Sequence, residues 1–229
     1  MLRTGRQSKA LPRERFGRAS AVHKHFLQWE VAGVFEAIRE AGLAECDQME
    51  GISWRWQSID GDRFRAPLAH ETMGCNPTGR EKKGKQATPT GERSWRPVVA
   101  RPDRGNEHDS TQLDVLLQAI MVMRRTPSIR CSKHLCADAA YRGRPALEII
   151  KSHGYILHVV GRRTEAKAEQ RGPTKNARRR VVEVCHSWFN RFRKLLARQE
   201  KLERSFVALN HIAAAMIAFR KVKSTVDIA

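Results

Sequence analysis

The sequence predicts an α/β fold, a sheet flanked by helices, and three observations predict it. "HLCADAAY", "RGRPALEIIKSHG" and "YILHVV" follow one another as an apolar strand, an amphipathic helix and a second apolar strand, the unit that builds a parallel pair. "SWRWQSIDGDRFRAP" alternates in polarity, so Trp54, Trp56, Ser58 and Asp60 share one face of a strand. Residues 19–43 and 113–121 instead carry apolar side chains at helical spacing. With 229 residues, 41% of them hydrophobic, the chain is long and apolar enough to bury a core.

Taken in order, Val22, Phe26, Trp29, Val34, Phe35, Ile38 and Leu43 give two amphipathic helices, and Gly33 marks the break between them. Asp60-Gly61 supplies a hairpin turn signal, with the return strand starting at Phe64. "HETMGCNPTGREKKGK" is polar, Gly-rich and basic, a loop in which Lys82, Lys83 and Lys85 are available to phosphates. Leu113, Leu116, Leu117, Ile120 and Met121 share a helical face behind a cap at Asp109 or Ser110. Pro145 opens the next helix and Gly154 closes it. After the basic loop "GRRTEAKAEQRGPTKNARRR", a long helix from about Ala177 carries Val181, Cys185, Trp188, Phe192 and Leu195. "FVALNHIAAAMIAF" is too short and too interrupted to span a bilayer and reads as a buried helix.

Lys and Arg number 43 against 24 acidic residues, a formal charge of +19. On a foldable chain this excess favours a polyanion, because each cation set against a phosphate releases a condensed counterion. Double-stranded DNA is the expected partner, and a membrane is not. Five scattered cysteines (Cys46, Cys75, Cys131, Cys136, Cys185) with no secretory leader before them fit reduced thiols in the cytoplasm. Cys131, His134 and Cys136 lack a fourth partner for a structural zinc site, so ordinary thiols are the expectation there.

Three acids stand out by position: Asp60 and Asp138 at strand ends, and Glu183 on a helix that must pack on the sheet. Each alone has a plain explanation as a turn former, a cap, or a partner for Arg179 one helical turn away. Together they would converge three carboxylates, a set that suits two Mg2+ ions completed by phosphate oxygens. "WQSIDGDRFRAP", "GCNPTGREKKGK", "NEHDSTQL", "CADAAYRGRPA" and "RRRVVEVCHSWFNRFRKLL" resemble, in the right order, the motifs of bacterial insertion-sequence transposases of the DDE class, in particular the insertion-sequence-five-type group. The resemblance implies a ribonuclease-H-like mixed sheet flanked by helices. It makes Asp60, Asp138 and Glu183 the catalytic and metal-binding acids. It also implies Mg2+ or Mn2+ as two ions, DNA cleavage and strand transfer at terminal inverted repeats, a homodimer on DNA, and a cytoplasmic, nucleoid-associated location. Arg179 is then a phosphate contact near the scissile bond, and Arg191, Arg193 and Lys194 are general DNA contacts. Two alternatives stay open: a non-catalytic DNA-binding remnant, and a general ribonuclease-H-like nuclease.

Departures from the family pattern divide the chain into a shortened N-terminal helical region, 1–50, and a catalytic domain, 51–229. Arg180 stands where the group has Trp, and Val184 where it has Arg. The largest departure is "KQATPTGERSWRPVVARPDRG", where the family has two apolar strands around a Gly-rich turn. One choice of synonymous codons for Gln86–Gly105, read from its second nucleotide, gives KRHLLVNGAGVPLSLVLTG, two apolar runs around NGAG. The expectation is a pair of compensating frameshifts, a disrupted pair of central strands over 86–104, and a copy whose activity is compromised.

Overall fold

The computed structural model describes residues 1–50, 54–64, 66–68, 84–87, 90–91, 101–104, 113–121, 132–138, 141, 143–159 and 176–226. The elements are α1 (Arg13–Phe16), α2 (Ala19–Val31), α3 (Val34–Glu50), β1 (Trp56–Ser58), β2 (Gly61–Phe64), β3 (Gly84–Ala87), β4 (Thr90–Gly91) and β5 (Arg101–Arg104), followed by α4 (Leu113–Met121), β6 (Lys133–Ala137), α5 (Arg144–Ser152), β7 (Tyr155–Val159), α6 (Asn176–Phe189), α7 (Arg193–Leu196) and α8 (Glu203–Val226). Gly33 separates α2 from α3 at φ 70°, a left-handed conformation that costs glycine little and a side chain more. Gly154 does the same after α5, whose first turn holds Pro145 as the sequence predicts.

The strands form two hydrogen-bonded blocks, β4-β1-β6-β7 and β2-β3-β5. Their registers agree. Gln57 faces Gly91 and Ser58 faces Thr90. Gly61 then faces Ala87, and Phe64 faces Gly84. Each forward step on one strand is one step back on the other in both blocks, so β1 meets β4 and β2 meets β3 with the same antiparallel offset. β5 pairs antiparallel with β3, β6 runs parallel to β1, and β7 runs parallel to β6. The result is a four-stranded mixed sheet with β4 and β7 at its edges and a three-stranded antiparallel sheet with β2 and β5 at its edges.

This corrects the hairpin expected at Asp60-Gly61. β2 does not return along β1, and its antiparallel partner is β3. The local turn signal yields to a longer ladder of backbone hydrogen bonds. It also revises the expectation of lost strands over 86–104. Backbone pairing survives at Gly84–Ala87, Thr90–Gly91 and Arg101–Arg104, in short pieces and without an apolar sequence. Backbone groups can pair whatever side chains they carry, and Pro102, which has no N–H to donate, lies on the edge strand β5 where sheets tolerate it.

Alternation in β6 sends Lys133, Leu135 and Ala137 into the interior and leaves His134 and Cys136 half-buried. On the interior face Ile59, Leu135, Ala137 and Tyr155 meet Leu113, Leu116, Leu117 and Ile120 of α4, Ala146 and Ile150 of α5, and Leu43 and Cys46 of α3. Tyr155 donates its hydroxyl to Gln57 Oε1 at 2.6 Å, which satisfies a polar group that burial would otherwise penalise. A second cluster joins Cys185 and Phe189 of α6 to Phe192, Leu195 and the α8 residues Phe206, Ala213, Ala214 and Ile217.

The N-terminal helices are tied to α8. Glu30, on α2, is almost fully buried and receives the Arg204 guanidinium at 2.8 Å and the Ser205 hydroxyl at 2.6 Å. The Asn210 amide donates to the Phe206 carbonyl at 2.9 Å, so a polar residue within an apolar run is accommodated by its own helix. β7 is not the buried strand its composition suggests. Ile156 is 47% exposed, because the strand lies at the sheet edge. The helix expected from Ala177 through Leu195 breaks between Phe189 and Arg193. There Arg191 N–H bonds the Trp188 carbonyl and Phe192 N–H the Phe189 carbonyl, the tighter pattern of a helix end.

Candidate active site

Asp60 and Asp138 each follow the last residues of neighbouring parallel strands. Trp56 lies level with His134, Gln57 with Leu135 and Ser58 with Cys136. The ladder continues one bond further, with Ile59 N–H donating to the Cys136 carbonyl at 2.8 Å. The same offset sets Asp60 level with Asp138, across a strand spacing of about 4.8 Å. By alternation both acids belong to the face opposite Ile59, Leu135 and Ala137, and both are half-buried. Two carboxylates placed side by side repel unless a cation lies between or beside them. Their oxygens are the hard donors that a divalent ion such as Mg2+ takes.

Glu183 lies on α6, which packs across β1, β4 and β6 through a face that includes the buried Val181, Val182, Cys185 and Phe189. Glu183 itself is exposed. Among the described residues no three His, Cys, Asp or Glu side chains gather closely enough to hold an ion. The structure thus brings Asp60 and Asp138 together and does not bring Glu183 to them.

The expected DNA contacts divide. Lys82 and Lys83 lie outside the described residues, as do Cys131 of the zinc reading and the cap at Asp109 or Ser110. Lys85 is on β3 opposite Arg63 and Asp103, and Arg179 is in the first turns of α6. Arg191 and Arg193 are exposed at the turn that follows α6. Lys194 has an internal partner: its ammonium binds Glu200 at 2.8 Å, with both side chains mostly buried. Cys185 is fully buried, and burial pushes its thiol well up, so it stays protonated and inert.

Sequence reasoning missed several groups. Arg198 is fully buried, donates to the carbonyls of Glu200 and Lys201, and lies over the Phe206 ring. His134 and His158 meet at 2.9 Å with Trp56 stacked on the first of them. The half-polar alternation of β6 and β7 is the one trace of that cluster in the sequence.

The sequence profile of the transposase DDE domain matches residues 135–220, a span that includes Asp138 and Glu183. Over that span the chain is similar to the transposase DDE domain. It is 29% identical over 145 residues to a Burkholderia cepacia protein assigned as the transposase of insertion sequence element IS402. That match takes in 62% of this chain and 64% of the relative. Among solved structures, the catalytic core domain of BIV integrase aligns with a TM-score of 0.41 and 14% identity, over 68% of this chain and 81% of that one. The catalytic domain of Mos1 transposase aligns with a TM-score of 0.36 and 10% identity, over 82% and 92% of the two chains.

Proposed function

We propose that this chain is a DNA transposase of the insertion-sequence-five-type group, with a ribonuclease-H-like catalytic domain that cleaves DNA at terminal inverted repeats and transfers the freed strand. The observation that carries the reading is the register of β1 on β6, which sets Asp60 level with Asp138 on one face of the sheet. Asp60 and Asp138 would hold Mg2+ or Mn2+, with Glu183 as the third acid after an adjustment of α6 on the sheet. Such ions, two in number, stabilise charge on the attacking and leaving oxygens of a phosphodiester. The chain's own residues supply the rest: exposed Arg191 and Arg193, with Arg179 and its neighbours on α6, bind and align the phosphate backbone. Double-stranded DNA, as element ends and as target, is the substrate, and two copies bridge the two ends. The location that follows is the cytoplasm, at the nucleoid. Among the described residues no helix is long and apolar enough to cross a membrane.

A second reading, a DNA-binding remnant without cleavage, is favoured by the exposure of Glu183. Incubating the purified protein with Mg2+ or Mn2+ and duplexes that carry or lack the inverted repeats of its element separates the readings. The expected result is nicking at the repeat ends that leaves a 3′-hydroxyl. Binding without nicking supports the remnant, and equal cleavage of both duplexes supports a general nuclease.

A further inference from the structure

On the sheet face that carries Asp60 and Asp138, three aromatic rings from three adjacent strands meet. His134 Nδ1 and His158 Nε2 approach to 2.9 Å, a hydrogen-bond distance between side chains of neighbouring parallel strands. Trp56 lies nearly flat on His134, with ring centroids 4.1 Å apart and planes 16° apart, and tilts over His158 at 4.8 Å. The Ser132 hydroxyl is 3.5 Å from the remaining nitrogen of His134. All three rings are half-buried, so solvent protons reach them.

A hydrogen bond between two imidazole nitrogens needs one to donate and the other to accept. The pair can therefore be neutral, or carry one proton in excess, and keep its bond. The singly charged form is favoured further, because the bond becomes charge-assisted and an indole face attracts a cation. A second added proton leaves two donors facing each other and two like charges in contact. We propose that His134 and His158 form a one-proton clasp that holds the edge strand β7 to β6 beneath Trp56 and opens when mild acid adds the second proton.

Among the described residues, the elements around the pair carry the following titratable and charged groups. On β1 and just beyond its ends they are Arg55, which is exposed, and Asp60, four residues further along the strand than Trp56. On β6 and just beyond its end they are Cys136, Asp138 on the same face and, on the opposite face, buried Lys133. On α6, which packs across β6, they are Glu183, His186 and the protonated Cys185. The sign follows from the forms the folded pair accepts. Free histidines take protons below about pH 6.5, and the folded pair resists the second one. The first proton, which the folded pair takes more readily than free histidines, raises stability as it binds; at lower pH, where the unfolded chain binds more protons, stability falls as pH falls. The inference assumes nothing about DNA.

The test is a titration of tryptophan emission between about pH 8 and pH 5, since a protonated imidazole in contact with indole quenches it. Wild type, His134→Gln, His158→Gln and Trp56→Phe are compared, with circular dichroism confirming that each stays folded. A coupled pair gives a wild-type curve spread over two separated steps, replaced in each His variant by a single step at about pH 6.5 and lost in Trp56→Phe. A wild-type curve that equals the sum of the two single-histidine curves overturns the clasp. If a variant does not fold, nitrogen NMR of the wild-type imidazoles decides. His134 and His158 titrating as one coupled unit supports the proposal, and independent titration contradicts it.

Discussion

Replacing Asp138 with Asn removes metal-dependent nicking by the protein, with a loss of at least about a thousandfold, while folding is preserved. The substitution keeps shape and most hydrogen-bonding capacity, and removes the negative charge beside Asp60. A neutral amide is a poor partner for a divalent cation, and the remaining carboxylate cannot by itself organise the ion against a phosphodiester. Asp138 also carries a local structural duty, since its carbonyl receives the Tyr141 N–H at 3.3 Å, but that bond comes from the backbone and survives the change. An assay on repeat-bearing duplex DNA reads the loss. Circular dichroism and an unchanged salt dependence of binding show that the effect lies in chemistry rather than in folding or phosphate contact.

The second large effect is expected from the segment between β3 and β5. Substituting KRHLLVNGAGVPLSLVLTG for Gln86–Arg104 raises the unfolding free energy by roughly 3 kcal/mol or more, since burying one large aliphatic side chain is worth about 1.5–3 kcal/mol. For a domain of this size that corresponds to roughly 6–12 °C in Tm. The structure supplies a reason beyond composition. Laid on the chain, the LLV run falls on Thr90–Gly91, which pairs with Gln57 and Ser58, and the second apolar run overlaps Arg101–Arg104. NGAG falls between the two, where a reversal is needed. The replacement adds cross-strand apolar pairs to the backbone ladder. Nicking rises with stability, because the strand that presents Asp60 is the one being buttressed. Differential scanning calorimetry of the two proteins checks the first effect. An unchanged or lower Tm argues against a displaced reading frame.

The parts of the fold that the sequence makes legible are those where local pattern and tertiary context agree. Gly33 breaks two amphipathic helices, and Pro145 and Gly154 bound a third between two strands. The two strand-end acids are readable for the same reason, since each closes a short apolar run. The hairpin at Asp60-Gly61 fails because the dipeptide signal is local, while its competitor is a ladder to residues more than 20 positions away. The break after Phe189 is unmarked by Gly or Pro, and the apolar spacing runs on through Phe192 and Leu195, so periodicity alone joins two helices. Lys194 looks like a free cation in a basic run. Only the chain reversal between α7 and α8 brings Glu200 to it. The helical position of Glu183 is readable, but its exposure depends on how α6 sits on the sheet, which no spacing encodes.

The account rests on Asp60 and Asp138 acting as one site for a divalent ion. Titrating the protein with Mn2+ and following the free-ion signal by electron paramagnetic resonance tests this without DNA. The account predicts saturable binding in wild type that is lost in both Asp60→Asn and Asp138→Asn, each of them folded. Equal Mn2+ binding by all three proteins would contradict it.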